Sequence, residues 1–437
     1  MKYFKGTDKL TASPLEEDIH KHKLPNGIRI YTKKIPHLYS VNIGVWVPIG
    51  STSEPEGKEG LAHFLEHLFF KGTKTRTTRD IMQAIECKGG QINAFTTQEY
   101  TCFYIKTLTE HLPLAIEILA DILKNSTFNE IEKERNVILE EISLLEDTPE
   151  DIILDLFHQF IWQNHPLSRP ILGTTKSIKK LTQQDILSFY KRAYSSQNII
   201  ITAVGNFNEK EIFNHFQYHF HDFPKNKTPR KNTTQKPTFH PGIKHYPRNI
   251  SQIHLCLGFP APPITNKQRF ICELTSNILG GGSTSRLFYH IREQEGLAYN
   301  IFSFYDLFQN AGTFGIYAGV APENFKSVIT IILNEINKLK TTPLLEEELD
   351  LYRQELKGEL LLAHEHAETH MTRIGKSVIY QKKIPSLQQI LNTLDQITPK
   401  QISQFLQTYG TPQNIALVSL GPNKHHINNI NFASLLS

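Results

Sequence analysis

Residues 181–205 and 397–421 are two copies of one unit. They align without a gap at an offset of 216 positions, about half of the 437-residue chain. Thr182/Thr398, Ile186/Ile402, Phe189/Phe405, Gln197/Gln413, Asn198/Asn414, Ile199/Ile415 and Gly205/Gly421 are identical pairs. Each copy reads as a helix followed by a buried strand. A repeat at this spacing constrains the fold more than any local signal: the chain is expected to be two homologous α/β halves, each closing with the same unit. Between them, residues 221–237 are polar, basic and punctuated by Pro224, Pro229 and Pro237, as a linker is. The expected division is a first domain at 1–220, a linker at 221–240 and a second domain at 241–437.

The chemistry is concentrated in His63-Phe64-Leu65-Glu66-His67. On a helix, His63 and His67 lie one turn apart on one face, ~6 Å along the axis. Two imidazoles so placed can bind one zinc ion. Glu66, three residues after His63, falls on that face and can take a proton from a water molecule there. This H-x-x-E-H order is the reversed form of the H-E-x-x-H metallopeptidase signature. A solvated histidine face is the plain alternative. The flanks argue against it, because Leu61, Phe64, Leu65, Leu68 and Phe69 predict a largely buried helix. Buried His and Glu need partners, and a metal supplies one.

A catalytic zinc takes three protein ligands and leaves a position for water. Residues 130–146 are strongly helical by composition, with an apolar stripe at Ile131, Ile138, Ile142 and Leu145. Glu134 and Glu141 fall within that stripe, two turns apart, while Glu132 and Glu140 point elsewhere. Carboxylates aimed at a core are costly unless paired or bound to metal. Glu141 is therefore the candidate third ligand and Glu134 a supporting carboxylate; the alternative is a charged helix packed at its edge.

With these residues in view, the chain resembles the M16 (insulinase/pitrilysin) family of zinc metallopeptidases, most of all its half-length, processing-peptidase-like branch. Gly60 to Thr73 resembles the family's signature helix and its exit, and Glu134 to Glu141 resembles its third-ligand helix. The resemblance implies an α+β fold: two homologous domains of duplicated M16 (LuxS/MPP-like) topology, each a mostly antiparallel sheet packed with helices. It implies that Glu141 is the ligand and Glu134 the accessory. The stretch Gly89 to Tyr104 reads alone as a glycine turn and a β-rich strand; the family match makes Asn93, Ala94 and Phe95 substrate-binding positions on a strand that pairs with peptide backbone. The match also carries a role onto Arg292 and Tyr299, which would stabilise the developing oxyanion. Read without it, they are a surface arginine and a packed tyrosine. The glycine-rich turn before them, Leu279 to Phe288, lacks the order of a phosphate loop.

The implied activity is that of a zinc-dependent endopeptidase acting on peptides or unfolded segments, with Glu66 as general base. In the second half, Phe270 to Thr275 replaces the ligand helix and carries no ligand pair, so one Zn2+ per chain is expected. The family's enzymes enclose a chamber with four such domains. A two-domain chain therefore implies a dimer, with itself or with a related chain, in which Arg292 and Tyr299 can serve the facing subunit. The competing class is a non-catalytic or partner-dependent subunit, against which stands the complete set His63, Glu66, His67 and Glu141.

The remaining features exclude rather than assign. A formal net charge of +4 suggests no broad surface for nucleic acid. No apolar run approaches the ~20 residues of a membrane span. Met1 to Asp8 has neither the apolar core of a signal peptide nor the Arg-rich, acid-poor character of a transit peptide. Cys87, Cys102, Cys256 and Cys272 have no C-x-x-C spacing and are expected as reduced core residues of a cytoplasmic protein. A second His pair, His366 and His370, has Glu368 on the opposite side of its helix and reads as a polar face. His240 and His425–His426 read as loop residues.

Overall fold

The computed structural model describes residues 18–225, 236–381 and 383–422. The amino-terminal stretch 1–8, the middle of the expected linker at 226–235, and His425–His426 lie outside the described residues.

The first half contributes β1 (His20–Lys23), β2 (Arg29–Lys34), β3 (Ser40–Val47), β4 (Gln91–Thr96), β5 (Thr101–Leu108) and β6 (Ile200–Gly205), ordered β1-β2-β6-β3-β5-β4 in one sheet. The second contributes β7 (Gly242–Pro247), β8 (Ile253–Ala261), β9 (Ala298–Leu307), β10 (Gly312–Val320) and β11 (Ala416–Gly421), ordered β7-β11-β8-β10-β9. Strand for strand, the second order repeats β2-β6-β3-β5-β4. Each sheet is antiparallel except at one equivalent pair, β2 with β6 and β7 with β11. The fold is thus α+β, in two halves of one topology.

The first half's helices are α1 (Leu61–Phe69), α2 (Thr78–Glu86), α3 (Leu112–Asn125), α4 (Ile131–Asp147), α5 (Pro149–Ile161), α6 (Thr175–Lys180), α7 (Gln183–Ala193) and α8 (Glu209–Phe220). The second half's are α9 (Arg269–Gly280), α10 (Phe325–Thr341), α11 (Glu346–Ala363), α12 (Ala367–Tyr380), α13 (Leu387–Asp395) and α14 (Pro399–Tyr409), with a π-helical turn at Phe288–Gln294.

The repeated unit is α7–β6 in one half and α14–β11 in the other. Its identical residues do identical work. Thr182 and Thr398 open the two helices with capping boxes, the first closed by Asp185 and the second by Gln401. Asn198 Nδ2 donates to the Ala193 carbonyl at 2.9 Å, and Asn414 Nδ2 to the Tyr409 carbonyl at 3.1 Å. In both copies this bond reaches the carbonyl of the last helical residue, just before the chain turns into the strand.

Both repeated strands are buried at every position. A strand reads as a continuous apolar run when its sheet is covered on both faces, and the cover is exchanged between the halves. One face of each sheet packs on its own half's helices. On the other face, α5 of the first half buries Ile153, Phe157 and Ile161 against Cys256, Tyr317 and Val418 of the second sheet. Reciprocally, α12 of the second half buries Met371, Ile374 and Val378 against Trp46, Cys102, Ile200 and Val204 of the first. The approach of α12 is close: a Cβ on Gly375 would sit 2.3 Å from the Trp46 ring. Each half therefore completes the core of the other.

Three readings are corrected by the structure. The stretch after Gly90 is a hairpin, not one strand, because Thr97 turns the chain by accepting at Oγ1 from the Glu99 and Tyr100 N–H groups. Cys87 is exposed, whereas the other three cysteines are buried; all four are free thiols. His370 is buried rather than on a polar face. Its Nδ1 lies 3.1 Å from the Lys33 ammonium and its Nε2 2.8 Å from the His364 carbonyl.

Candidate metal centre and active site

Helix α1 begins at Gly60, which sits at φ +87°, a conformation that favours glycine; a Cβ there would lie 2.5 Å from the Leu172 carbonyl oxygen. Glycine has no side chain to cap a helix. The buried Glu54 carboxylate does so instead, accepting from the Gly60 N–H at 3.0 Å and the Ala62 N–H at 2.7 Å. Burial pushes its pKa well above the usual carboxylate range, against the pull of those two donors and of Arg169.

From that start the sequence places Leu61, Ala62, Phe64, Leu65, Leu68 and Phe69 in the core. His63, Glu66 and His67 are left on the other face, and the two imidazole centroids stand 4.6 Å apart. Helix α4 crosses α1 with its buried stripe of Ile131, Glu134, Ile138 and Ile142, so that Glu141, at the border of the stripe, faces the histidines. Glu132 and Glu140 are exposed.

His67 Nε2 lies 3.5 Å from Glu141 Oε1, and His63 Nε2 lies 3.9 Å from Glu141 Oε2. One ligand atom from each of the three residues falls within 4.8 Å of the others. Two ligand atoms at ~2.0–2.2 Å from a tetrahedral zinc stand about 3.3–3.6 Å apart, so this cradle fits the ion once its side chains close in. The chemistry of the donors fits too. Burial, and then the neighbouring His67, lowers the His63 pKa to about 3, which keeps its imidazole neutral with a lone pair to offer. His67 Nδ1 meets Glu134 Oε2 at 3.2 Å, which leaves Nε2 turned to the site. His63 Nδ1 is buried and has no such partner among the described residues.

Glu66 stands beside this cradle. Burial raises its pKa; the Thr96 hydrogen bond and His67 oppose the shift, and Glu141 adds to it. Thr96 Oγ1 donates to Glu66 Oε2 at 2.5 Å.

Strand β4 runs along α1 as the free edge of its sheet. The Thr97 N–H donates to the Tyr100 carbonyl across the turn. Counting back in steps of two, Phe95 and Asn93 turn their backbone groups to β5, while Thr96, Ala94 and Ile92 turn theirs outward. Asn93 is exposed, Ala94 and Phe95 are half-buried, and the Asn93 side chain accepts from the Ala94 N–H at 2.8 Å.

Arg292 and Tyr299 are together but elsewhere. Arg292 lies on the π-helical turn, its guanidinium 4.8 Å from the centre of the Phe288 ring and 5.0 Å from that of Tyr299. Tyr299 is 78% exposed on β9, the edge strand equivalent to β4. Among the described residues no contact joins this pair to His63, Glu66, His67 or Glu141 of the same chain. Helix α9, in the place of α1, carries Cys272 and Glu273 and no histidine.

Three residues at the site are not legible in the pentapeptide and its partner helix. Lys71 places its ammonium 3.0 Å from Glu134 Oε1; its spacing of four from His67 is the one available signal. Thr96 shares the strand face of Ala94, which alternation indicates once β4 is placed. Glu54 has no sequence signal, because its role depends on a loop folding back onto α1.

Residues 29–175 match the family model described as insulinase (peptidase family M16), and residues 180–356 match the one described as the peptidase M16 inactive domain. The division between the two models falls ahead of β6, which nevertheless lies in the first sheet between β2 and β3. The chain is 34% identical over 407 residues to an uncharacterized zinc protease of Bacillus subtilis, covering 92% of this chain and 98% of that one. It is 34% identical over 385 residues to an uncharacterized zinc protease of Mycobacterium leprae, covering 87% and 86%. Among solved structures, a protease from Helicobacter pylori matches with a TM-score of 0.89 at 22% identity, covering 93% of this chain and 100% of that chain. A peptidase M16 inactive domain from Pseudomonas fluorescens matches at 0.86 and 19%, covering 93% and 99%. These two likenesses are of fold.

Proposed function

The chain belongs to the insulinase family of peptidases, family M16, and on that premise we propose that it is a zinc-dependent endopeptidase acting on peptides or unfolded polypeptide segments. The observation that carries the reading is the convergence of His63 and His67 from α1 with Glu141 from α4, and Glu66 beside them. His63 Nε2, His67 Nε2 and a Glu141 oxygen would hold the ion, with Glu134 orienting His67. A zinc ion held there polarises a scissile carbonyl and lowers the pKa of water towards ~7.

Glu66 takes the proton of the attacking water and gives it to the leaving amine. Burial raises its proton affinity above that of an ordinary carboxylate, which suits a base that must take a proton from water and hand it on. The substrate lies as an added strand against the outward groups of Ile92, Ala94 and Thr96, with Asn93 and Phe95 flanking it. Backbone pairing holds many sequences alike, and an extended, unfolded segment is what such an edge accepts. One zinc per chain is supported by the lack of a ligand pair on α9, in the half matched by the model described as the inactive domain.

Arg292 and Tyr299 complete the reading only in a dimer, with this chain or a related one. The exposure of Tyr299 on β9, with Arg292 half-buried beside it on the π-helical turn, supports service to the facing subunit, where the pair would stabilise the negative charge of the tetrahedral intermediate. Among the described residues no helix is long and apolar enough to cross a membrane. A cytoplasmic setting belongs to the same proposal and is supported by four free thiols.

The test is zinc content of the purified protein together with cleavage of a mixed peptide library, with Glu66→Gln as control. The expected result is about one zinc per chain and cleavage that the variant loses while keeping its zinc. Protein without zinc, or a Glu66→Gln variant that cleaves normally, overturns the reading. Zinc without cleavage by the wild type points instead to a non-catalytic or partner-dependent subunit.

A further inference from the structure

The residue that touches Glu66 belongs to the edge strand on which the substrate is proposed to lie. Thr96 closes β4, its backbone groups turned outward from β5 and its hydroxyl turned inward onto the carboxylate. The direction of that hydrogen bond follows from counting protons. Thr96 Oγ1 has two oxygens near it, Glu66 Oε2 at 2.5 Å and Thr101 Oγ1 at 3.4 Å. The Thr101 proton is committed to the Ile49 carbonyl at 3.0 Å, in a position where Thr101 is 1% exposed. The one proton on Thr96 therefore goes to Glu66. A carboxylate with a single fixed donor on one oxygen keeps its other oxygen free and aimed.

We propose that Thr96 is the positioning residue for Glu66, holding one carboxylate oxygen so that the other faces the water, and that it ties this orientation to occupation of strand β4 by peptide. The inference rests on the peptidase reading above. Its physical basis is that one residue has its side chain on the base and its backbone on the substrate edge. A peptide paired with β4 draws on the outward Thr96 groups and rigidifies the strand end. The hydroxyl then stays in line with Glu66, and the rotamers of that carboxylate are reduced to one. An empty strand end leaves the carboxylate less constrained. Extended peptides long enough to reach Thr96 are accordingly turned over faster than short ones bound at the same zinc.

The test compares Thr96→Val, which removes the hydroxyl and keeps the shape, with Thr96→Ser, which keeps the hydroxyl. Both are assayed as purified zinc enzyme on a peptide that the wild type cleaves, with zinc content and thermal midpoint measured alongside. Thr96→Val is expected to lower kcat by about 10- to 100-fold, the range for losing a hydrogen bond to a charged group, with KM changed by less than about threefold and zinc content unchanged. Thr96→Ser is expected to recover most of the loss. Adding Thr96→Val to Glu66→Gln should have no further effect, because the two act as one unit. Normal kcat in Thr96→Val, or an additive effect in the double variant, overturns the inference. So does equal damage in the Ser and Val variants, which would assign Thr96 to packing. Should the Val variant lose its fold, the Ser variant and the length series decide: equal kcat for peptides that do and do not reach Thr96 rejects the coupling. Failure of the wild type to cleave any peptide is a failure of the peptidase reading instead.

Discussion

His67 and Glu134 meet at 3.2 Å, imidazole Nδ1 to carboxylate Oε2, across the crossing of α1 and α4. Glu134 is 0% exposed, and its other oxygen lies 3.0 Å from the Lys71 ammonium. A buried carboxylate in this position selects one tautomer of His67 and turns Nε2 towards Glu141. Glu134→Gln is expected to weaken zinc binding by about 10- to 100-fold, read by competition with a chelator of known affinity. Lys71→Met is expected to act in the same direction and less strongly, since it removes the counter-charge and leaves the contact to His67. Unchanged zinc affinity in Glu134→Gln would remove the carboxylate from the site.

Arg292 and Tyr299 stack on each other, and among the described residues no contact joins them to His63, His67 or Glu141 of their own chain. Glu66→Gln and Tyr299→Phe chains, each impaired alone, are expected to regain activity when mixed under conditions that exchange subunits. If each site draws its tyrosine from the partner, random exchange restores about a quarter of wild-type activity, because half the dimers are mixed and each mixed dimer has one intact site. No regain despite demonstrated exchange would place Tyr299 in service to its own chain or outside the reaction.

His370 bridges the halves: its Nδ1 accepts from Lys33 of β2, and its Nε2 donates to the His364 carbonyl just before α12. Burial first, then the charge of Lys33, with His364 and Arg373 adding, lowers its pKa to about 3. The folded value thus lies below the ~6.5 of the unfolded chain, so the unfolded chain takes up the proton first. Stability from this group is complete above about pH 6.5 and declines as pH falls from there, by up to about 1.4 kcal/mol per pH unit. Urea midpoints of the metal-free protein are expected to drop between pH 7 and pH 5, and the drop should be shallower in His370→Gln. An equal slope in the variant would mean that other groups carry the pH dependence.

The two tryptophans report on the exchanged helices separately. Trp46 lies beneath α12 on the first sheet, and Trp162 follows α5 at the second. Single-tryptophan variants, Trp46→Phe and Trp162→Phe, are expected to show coincident unfolding transitions, since neither sheet keeps its core without the other half. Phe157→Ala removes a fully buried ring from the α5 contact and is expected to cost about 3–5 kcal/mol, lowering both signals together. Separate transitions would show that the halves are independent domains.

The legible part of this protein is what short-range periodicity and direct repetition encode. His63, Glu66 and His67 could be placed on one face because a helix sets that face within five residues, and Glu134 and Glu141 because charge along an apolar stripe stands out. The duplication was readable from Thr182, Asn198 and their counterparts, which cap and close the same turn in both halves. The mostly apolar strands at 200–205 and 416–421 indicated burial. They did not indicate by what, since an apolar side chain carries no address. Only the tertiary structure decided that α5 and α12 change places between the halves, that Glu54 caps α1, that Thr96 meets Glu66 and that Lys71 meets Glu134. It also showed Arg292 and Tyr299 against each other, with no contact among the described residues to His63, His67 or Glu141 of their own chain. Those relationships depend on how layers pack across long separations in sequence, and packing is settled by shape and distance, which the order of residues along the chain does not express.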